Sequence, residues 1–367
     1  MNRWIIIGGI LVVLIAANIF YLLQLSSRQV VQAPSIPQLA QRFVPSGIKP
    51  KDESVTLFAA GDIMLSRNVA ATIKAQGDDH YPFLAMKQRI SQADIAFANL
   101  ESPITAGPEV KTGSFTFHAN PGIEQSLAWA GFDVLSLANN HLPNYGEQGI
   151  KDTVSLLDAV GINHAGAGAD ADAALKPAII EVKGKKFGFL AFNDSDVVPP
   201  SYGASKNQAG TNIMDETKLK QVIAQLRPQV DFIIVSMHSG IEYTPKPNQH
   251  QQDFAHAAID DGADLVIGHH PHVVQSLEKY KDKYILYSLG NFVFDQMFST
   301  ETRQGLTATI TFGPSGVTDV WLAPVLIENY AQPRPLNPDE ALDVVRRFTL
   351  PVTTSTRDNL LGWSVNL

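Results

Sequence analysis

The sequence predicts an α/β protein, because apolar runs of strand length alternate with segments of helical periodicity. Three segments have apolar residues at helical spacing and are each followed closely by an apolar run: Glu147–Val160, Glu216–Leu226 and Gln249–Asp261. Two hairpins are also predicted, the first over Ala178–Val182 and Lys186–Phe192 and the second over Leu306–Phe312 and Val317–Leu326. The chain therefore mixes strand–helix units with antiparallel pairs.

Polar residues follow six of the apolar runs, always at the same end. The runs are Val55–Ala60, Ile95–Ala98, Val134–Leu137, Phe232–Met237, Leu265–Ile267 and Tyr284–Tyr287. The residues that follow them include Asp62, Asn99, Glu101, Asn140, His141, His238, His269, His270, His272 and Asn291. Because ligands of α/β sheets bind outside the carboxyl ends of the strands, this pattern predicts a single site.

The stretch Asp264–His272, DLVIGHHPH, is the most informative part of the pattern. A short apolar run ends in a glycine, and three histidines lie within the next four residues. Histidine is the commonest metal ligand, so this spacing favours metal binding over a loop of hydrogen-bonded histidines. Asp62 has an alternative too, since an aspartate in such a position often caps a helix.

The complete set offers carboxylate and amide oxygens together with imidazole nitrogens. Such mixed donors suit Mn²⁺, Fe or Zn²⁺ better than Mg²⁺ or Ca²⁺, which prefer oxygen ligands. The set has too many ligands for one tetrahedral zinc and enough for two ions that share a carboxylate. The sequence therefore predicts one or two divalent transition-metal ions.

Composition limits the class of function. The chain has 367 residues, 45% of them hydrophobic, a net charge of −8 and no cysteine. The length allows one large domain or two, and the lack of cysteine excludes disulfides and thiolate ligands. Basic residues form no run beyond Lys183, Lys185 and Lys186, which argues against nucleic acid as a partner.

The N-terminus predicts a membrane anchor. Trp4 to Leu23 is uncharged, mainly apolar and long enough to span a bilayer as a helix. A cleaved signal peptide is the alternative, but its apolar region is normally shorter and no clear cleavage site follows. Arg3 and Arg28 flank the span and leave its orientation open. The simplest arrangement is a single-pass anchor in the cell (inner) membrane, with the soluble domain outside the cytoplasm.

Four regions are predicted along the chain. Residues 1–25 form the transmembrane anchor, and residues 26–54, rich in Pro, Gln and Ser, form a tether. Residues 55–330 form the main domain. Residues 331–367 form a C-terminal extension, with a short helix near Pro338–Phe348 and no clear pattern over Val352–Leu367.

Several motifs give the chain a resemblance to a known family. In order they are GDIMLSR (61–67), ANLESPIT (98–105), LANNHLPNYGEQG (137–149), HAGAG (164–168), MHSGIEY (237–243), GADLVIGHHPHVVQ (262–275) and YSLGNFVFDQ (287–296). Together they resemble the CapA family of capsule biosynthesis, whose members serve poly-γ-glutamate synthesis. That family is similar to the calcineurin-like metallophosphoesterases.

This resemblance implies a four-layer α/β/β/α sandwich with a two-metal centre. The implied ligands are Asp62 and His272 at a first ion, Glu101 as the bridge, and Asn140, His238 and His270 at a second ion. His141 would be the general acid for the leaving group.

Three further residues are assigned to substrate contacts: Asn99, His269 and Asn291. The register of the GHHPH segment also allows His269 to replace one of its neighbours as a metal ligand.

The chain departs from the phosphoesterases at two places. Their Asp-x-His motif has Met64 at its third position here, and their Gly-Asp-x-x-Asp motif is replaced by Asn99 and Glu101. A thioether is a poor ligand for Mn²⁺ or Zn²⁺ in such a site, so the first ion would have one ligand fewer.

Three functions compete at this point. The favoured one is a membrane-anchored, metal-dependent enzyme of poly-γ-glutamate or capsule formation, which hydrolyses or transfers an ester or amide linkage. The others are a metal-dependent phosphoesterase and a non-catalytic subunit that binds polymer or assists assembly. The expected partners are an acidic polymer or a phosphate ester as substrate, and a membrane-bound polymer synthase complex.

Overall fold

The strands of the protein form two large sheets and one short pair. The computed structural model describes residues 54–110, 115–347, 350–357 and 360–365. The strands are β1 (Val55–Ile63), β2 (Ile95–Leu100), β3 (Val134–Ser136), β4 (Asn163–Ala165), β5 (Ala167–Gly168), β6 (Ala178–Val182), β7 (Lys185–Asn193), β8 (Gly210–Thr211), β9 (Phe232–His238), β10 (Leu265–His269), β11 (Leu277–Tyr280), β12 (Lys283–Leu286), β13 (Asn291–Val293), β14 (Gln304–Gly313), β15 (Gly316–Glu328), β16 (Gln332–Pro335), β17 (Val352–Arg357) and β18 (Leu360–Val365).

Helices connect many of these strands and cover the sheets. They are α1 (Arg67–Gln76), α2 (Lys87–Gln92), α3 (Glu124–Ala130), α4 (Gly146–Ala159), α5 (Ala171–Leu175), α6 (Glu216–Leu226), α7 (Gln249–Asp261), α8 (Thr300–Arg303) and α9 (Pro338–Val345).

The larger sheet is 10-stranded and combines a parallel half with an antiparallel half. Its order is β17-β18-β15-β14-β1-β2-β3-β4, with β13 beside β1 and β16 beside β15. Strands β1 to β4 pair in parallel, whereas β14, β15, β17 and β18 pair antiparallel. The carboxyl ends of β1, β2 and β3 therefore lie along one edge of this sheet.

The smaller sheet is 6-stranded, in the order β11-β12-β10-β9-β7-β6. Its inner strands β7, β9, β10 and β12 pair in parallel, and hairpins with β6 and β11 close its two sides. Both faces of β9 and β10 are buried, as expected for parallel strands covered on each side.

The two sheets pack face to face, with helices on both outer sides. Leu57 of β1 lies in the apolar layer between the sheets, and its neighbour Phe58 lies in the layer beneath α1 to α4. Phe97 of β2 stacks on Phe189 of β7 across the inner layer at 5.6 Å between ring centroids. Helices α6 and α7 cover the outer face of the smaller sheet. The described residues thus form a four-layer α/β/β/α sandwich.

Several predicted elements are present with nearly the predicted bounds. Helices α6 and α7 match the predicted segments, α4 lies one residue before its prediction at each end, and both predicted hairpins form. The strand runs also form, and most extend into the polar residues that follow them.

Three hairpins were not predicted, and one of them joins β15 to β16 through residues 329–331. The β11–β12 turn has positive φ at Lys281 and Asp282, a conformation that Asn-Gly normally signals in a sequence. The β17–β18 hairpin has no obvious apolar period in β17, yet Trp363 of β18 is buried in the layer between the sheets. Through β16 and β18, residues beyond 330 join the larger sheet.

The predicted anchor, Trp4 to Leu23, and the predicted tether lie outside the described residues. Among the residues that are described, no helix has the length and apolar character that crossing a bilayer requires.

Candidate metal centre

The predicted site residues come together where the carboxyl ends of the parallel strands of both sheets meet. In the larger sheet Asp62 is in register with Asn99 on one side and with Asn291 on the other. In the smaller sheet His238 is in register with His269. The site is therefore built from two sheets, and not from the edge of a single sheet.

Two glycines permit the close approach that positions these residues. A Cβ on Gly61, just before Asp62, would lie 1.9 Å from the carbonyl oxygen of Gly290. A Cβ on Gly268, just before His269, would lie 2.0 Å from the carbonyl oxygen of Tyr287. Any other residue at either position would push the strand away from its neighbour and displace the ligand that follows.

The donor atoms of Asn140 and His270 both lie close to His238 Nε2. His238 Nε2 lies 2.9 Å from Asn140 Oδ1 and 3.2 Å from His270 Nδ1. Two donors bound about 2.1 Å from one ion, at tetrahedral or octahedral angles, lie roughly 3.0–3.4 Å apart. Each of these two pairs therefore has about the spacing of ligands to a common ion.

A second group of donors surrounds Asp62, which is fully buried. Its Oδ1 lies 3.1 Å from His269 Nδ1, and its Oδ2 lies 3.5 Å from His272 Nδ1. The His269 contact lacks the direction of a hydrogen bond, so neither ring nitrogen of His269 has a hydrogen-bond partner among the described residues, although Nδ1 lies beside Asp62. Buried polar atoms are nearly always satisfied, so these nitrogens indicate a ligand.

Glu101 lies between the two groups. The ligand atoms of Asp62, Glu101 and His238 lie within 4.8 Å of one another, all three side chains being buried. Glu101 Oε1 has no hydrogen-bond partner among the described residues and lies 3.8 Å from His272 Nε2. Its position suits a carboxylate that bridges two ions.

Asn99 holds the carboxylates in place. Its amide nitrogen lies 2.9 Å from Asp62 Oδ1 and 3.3 Å from Glu101 Oε2, and its oxygen accepts a hydrogen bond from Asn139. Asn139 thereby fixes the orientation of the Asn99 amide.

Asn291 orients His272 by a hydrogen bond of 3.0 Å between its Oδ1 and His272 Nδ1. Outer partners of this kind set the tautomer and direction of a ligating imidazole.

The pKa shifts of the two buried carboxylates, Asp62 and Glu101, are those expected at a site that binds a cation. Burial acts to raise the pKa of Asp62, but the contacts with His269 and His272 hold that pKa well below its usual range. Burial, and then the charges of Asp62 and Glu242, raise the pKa of Glu101 well above its usual range. Two buried carboxylates so close together cannot both ionise cheaply unless a cation lies between them.

Two of the imidazoles, His238 and His270, are held in the neutral form that metal binding requires. Burial lowers the pKa of His270 to about 3 and lowers that of His238 well below its ordinary value. Neutral nitrogen donors beside an ionised carboxylate are the protonation states of a metal site.

His141 lies at the open side of this cluster. The oxygen of Asn144 accepts a hydrogen bond from the backbone N–H of Phe117, so it accepts from His141 Nδ1 as well, at 2.9 Å. This leaves His141 Nε2 free, 4.0 Å from Glu101 Oε1. Burial lowers the pKa of His141 to about 3.

His270 and His272 have positive φ angles of 98° and 59°. Residues with side chains adopt such angles at a cost, and in folded proteins they concentrate at functional sites. The backbone of the GHHPH loop is therefore shaped to direct these rings.

The three residues assigned to substrate are all fully buried: Asn99, His269 and Asn291. Their contacts are with other site residues, so this position suits ligation or orientation of ligands. Met64, which stands at the third position of Asp-x-His, packs in the apolar layer under the helices, and its sulfur accepts a hydrogen bond from the Ser66 N–H.

A cavity of about 370 Å³ opens next to the cluster. His141 and His272 line its inner end, and several residues that the sequence analysis did not assign line the rest: Arg67, Asn68, Phe115, Phe117, Glu242, Tyr243, Asp295, Gln296 and Phe298. Arg67, Tyr243 and Asp295 belong to the family motifs quoted above, which was the available signal.

A four-layer sandwich with carboxylates, an amide and imidazoles at its strand ends defines an α/β protein with a candidate metal site. The profile described as "Bacterial capsule synthesis protein PGA_cap" matches residues 56–296, and the chain belongs to this family, which confirms the resemblance.

Curated relatives agree with this family. The chain is 33% identical to the "Capsule biosynthesis protein CapA" of Bacillus anthracis, over 81% of this chain and 73% of the relative. It is 32% identical to the "PGA biosynthesis protein CapA" of Bacillus subtilis (strain 168), over 86% and 81% respectively. Among solved structures, a putative 5'-nucleotidase from Staphylococcus aureus in complex with alpha-ketoglutarate is similar, with a TM-score of 0.47 and 14% identity. This match covers 83% of this chain and 62% of that one.

Proposed function

We propose that this protein is a metal-dependent enzyme of poly-γ-glutamate capsule formation that hydrolyses or transfers an amide or ester linkage of the polymer. The carrying observation is that Asn140 and His270 both lie at about ligand spacing from His238, beside the buried Asp62 and Glu101. Membership of the capsule synthesis family supplies the substrate class.

The proposed cofactor is one or two divalent transition ions, Mn, Fe or Zn. Asn140, His238 and His270 would hold the tighter ion, and Asp62, His272 and His269 the looser one, with Glu101 shared. His269 takes the part of the imidazole that Met64 does not provide. A metal bound there would polarise the scissile group and lower the pKa of a bound water.

The remaining residues prepare the site for that chemistry. Asn99 orients both carboxylates, and Asn291 orients His272. His141 faces the cavity with an unprotonated Nε2, because its ring proton is on Nδ1 and is donated to Asn144. It would therefore first take at Nε2 the proton that the attacking water loses, and then pass that proton to the leaving group.

A second candidate is a non-catalytic subunit that binds polymer or assists assembly. It is favoured by the replacement of the phosphoesterase imidazole by Met64 and of the bridging aspartate motif by Asn99 and Glu101.

The test uses the purified full-length protein, stripped with a chelator and reloaded with Mn²⁺, Fe²⁺ or Zn²⁺. We expect metal-dependent shortening of poly-γ-glutamate, lost in Asn140→Ala and His141→Ala and retained in His256→Ala. His256 is the control because it lies on α7 and pairs with Glu278, away from the site. Polymer binding without cleavage at any metal would favour the assembly subunit, and hydrolysis of p-nitrophenyl phosphate alone would identify a phosphoesterase.

The proposed location is the cell (inner) membrane, with residues 4–23 as an uncleaved single-pass anchor and the main domain outside the cytoplasm. The uncharged apolar stretch supports this arrangement, and a membrane-bound polymer synthase is the proposed partner. N-terminal sequencing of the mature protein and protease accessibility in spheroplasts test it. A mature N-terminus beyond Leu23, or protection of the domain in intact spheroplasts, would contradict it.

A further inference from the structure

The cavity beside the candidate metal centre is lined by a positively charged side chain, Arg67, which has no role in the proposed chemistry. Its volume of about 370 Å³ lies in the range of small-ligand pockets. His141 and His272 line its inner end, and Arg67 lines its side. A substrate bound at His141 in this cavity therefore lies near the Arg67 guanidinium.

Arg67 is held in an unusual conformation at the start of α1. Its φ is 49°, in the left-handed region that side-chain-bearing residues rarely adopt. Its guanidinium pairs with the buried carboxylate of Asp295, whose other oxygen accepts a hydrogen bond from the Asn68 N–H at 3.2 Å. The strained backbone and the ion pair together fix the direction of this side chain.

The guanidinium keeps donors free for a ligand. The contact with Asp295 uses Nη2, and the other nitrogens have no acceptor among the described residues. The side chain is 31% exposed, so these donors face the cavity and not bulk solvent alone. Glu242 also lines the cavity, and its charge, which helps to raise the pKa of Glu101, opposes an anion bound nearby; its exposed position leaves it free to turn toward solvent.

Phe117 connects Arg67 to the proposed proton donor. The guanidinium carbon lies 4.4 Å from the centroid of the Phe117 ring, and that ring stacks on His141 at 3.8 Å. The guanidinium carbon of Arg67 and the ring centroid of His141 are therefore at most about 8 Å apart, so groups bound at the two side chains can belong to one small segment of a ligand. In a γ-linked polymer, each linkage is followed by a free α-carboxylate at a similarly short distance.

We infer that Arg67 binds an α-carboxylate of the glutamyl unit next to the linkage at His141, and so selects γ-linked polyglutamate over neutral polymers. This inference rests on the proposed function. Arginine suits the task because its planar guanidinium matches a carboxylate and is always charged. Asp295 and Phe117 are positioning residues, since they hold the guanidinium toward the cavity.

The experiment measures binding of two probes to the full-length, metal-loaded protein by titration calorimetry. One probe is γ-linked tetraglutamate, and the other is the same oligomer with its α-carboxylates converted to carboxamides. We expect the parent to bind the carboxylate probe about 10- to 150-fold more tightly, the usual range for a hydrogen bond to a charged group. Arg67→Met should lose this preference and leave carboxamide binding unchanged, and Arg67→Lys should keep part of it.

Two further variants make the result decisive. Arg346→Met, at an exposed residue outside the cavity, should behave as the parent. Asp295→Asn removes the carboxylate partner but keeps the arginine, so it should retain a preference for the carboxylate probe. A preference for the carboxylate probe in Arg67→Met as large as in the parent, with unchanged metal content, would show that Arg67 does not bind the carboxylate and overturn the inference.

The failure of the proposed function has a different signature. If the parent binds neither probe, the polyglutamate substrate is wrong and the inference falls with it. If the parent binds both probes equally, and Arg67→Met binds them as the parent does, polyglutamate stays the ligand class and only the role of Arg67 is overturned.

Discussion

The carboxyl edge of the 10-stranded sheet carries the oxygen donors of the proposed metal centre, whereas the edge of the 6-stranded sheet carries the imidazoles. Asp62 lies near the end of strand β1, and Glu101 and Asn140 follow strands β2 and β3 of the larger sheet. His238 ends β9, and the other histidines end or follow β10. Each sheet therefore supplies one of the two kinds of ligand.

This division links metal binding to the packing of the two sheets. The contact between His238 Nε2 and Asn140 Oδ1, at 2.9 Å, crosses from one sheet to the other, as does the contact between His269 and Asp62. Neither edge alone offers the mixture of oxygen and nitrogen donors that a transition ion selects. A change that separates the sheets should therefore weaken binding of the ion, and a bound ion should stabilise the packing of the two sheets.

The largest effect is expected from removing the imidazole that contacts ligands from both sheets. His238→Ala should abolish binding of the tighter ion, whereas Asp62→Ala should mainly weaken the looser one. The measurement is metal content by mass spectrometry after dialysis, with His256→Ala as the histidine control. Undiminished metal content in His238→Ala would refute the ligand assignment.

The next largest effect concerns the layer between the sheets. Phe97→Ala removes the ring that stacks on Phe189 and should lower the free energy of unfolding by about 3–5 kcal/mol. It should also weaken metal affinity, because Phe97 lies against His269. Phe254→Ala is the matched control, since Phe254 packs between α7 and one sheet only. Both should be destabilised in urea, but only Phe97→Ala should lose metal affinity; equal affinity in the two variants would break the proposed link.

A smaller effect is expected at the looser ion. His269→Ala should lower metal stoichiometry toward one ion and leave the tighter ion in place, because His269 supplies an imidazole to Asp62 alone. Met64→Leu keeps an apolar side chain in the same layer and should leave stoichiometry unchanged, as a thioether is a poor ligand here. If Met64→Leu loses an ion and His269→Ala does not, the two assignments are reversed.

The next prediction concerns the hydrogen bond by which Asn291 orients one ligand, His272. Asn291→Ala removes the hydrogen bond that orients the His272 ring. It should lower the affinity for the looser ion by about 10- to 100-fold, as for other outer partners of ligating histidines. Competition with a fluorescent chelator gives the affinity. Asn163→Ala in β4, outside the site, is the control, and an affinity equal to that of the control would show that His272 needs no such support.

The smallest effect is expected from a change at a helix cap, which should lower stability slightly and leave metal binding unchanged. Asn337 caps α9 with a reciprocal capping box to Glu340, and Asn337→Ala should cost about 1 kcal/mol of stability. Metal content should not change, because α9 lies far along the chain from every proposed ligand. Urea unfolding and metal analysis of the same sample check both parts, and a loss of metal would show that the C-terminal region supports the centre.

The sequence by itself determined the local elements and the family. Helices α4, α6 and α7 have apolar stripes, and the buried strands end in polar residues, so periodicity and composition located them. The family motifs lie at these strand ends, which is why Asp62, Glu101, Asn140 and His238 could be proposed as neighbours before any fold was known. The resemblance also predicted two facing sheets.

Only the tertiary structure decided which atoms meet. That His269 faces Asp62, that Asn291 holds His272, and that Arg67 lies over Phe117 all depend on the register and packing of strands distant in sequence. The β11–β12 turn was missed for a related reason, since Lys281 and Asp282 adopt positive φ without the residues that usually signal it. Periodicity reports which face of an element is buried, but the partner on that face is set by long-range packing, and the ligand geometry follows from that partner.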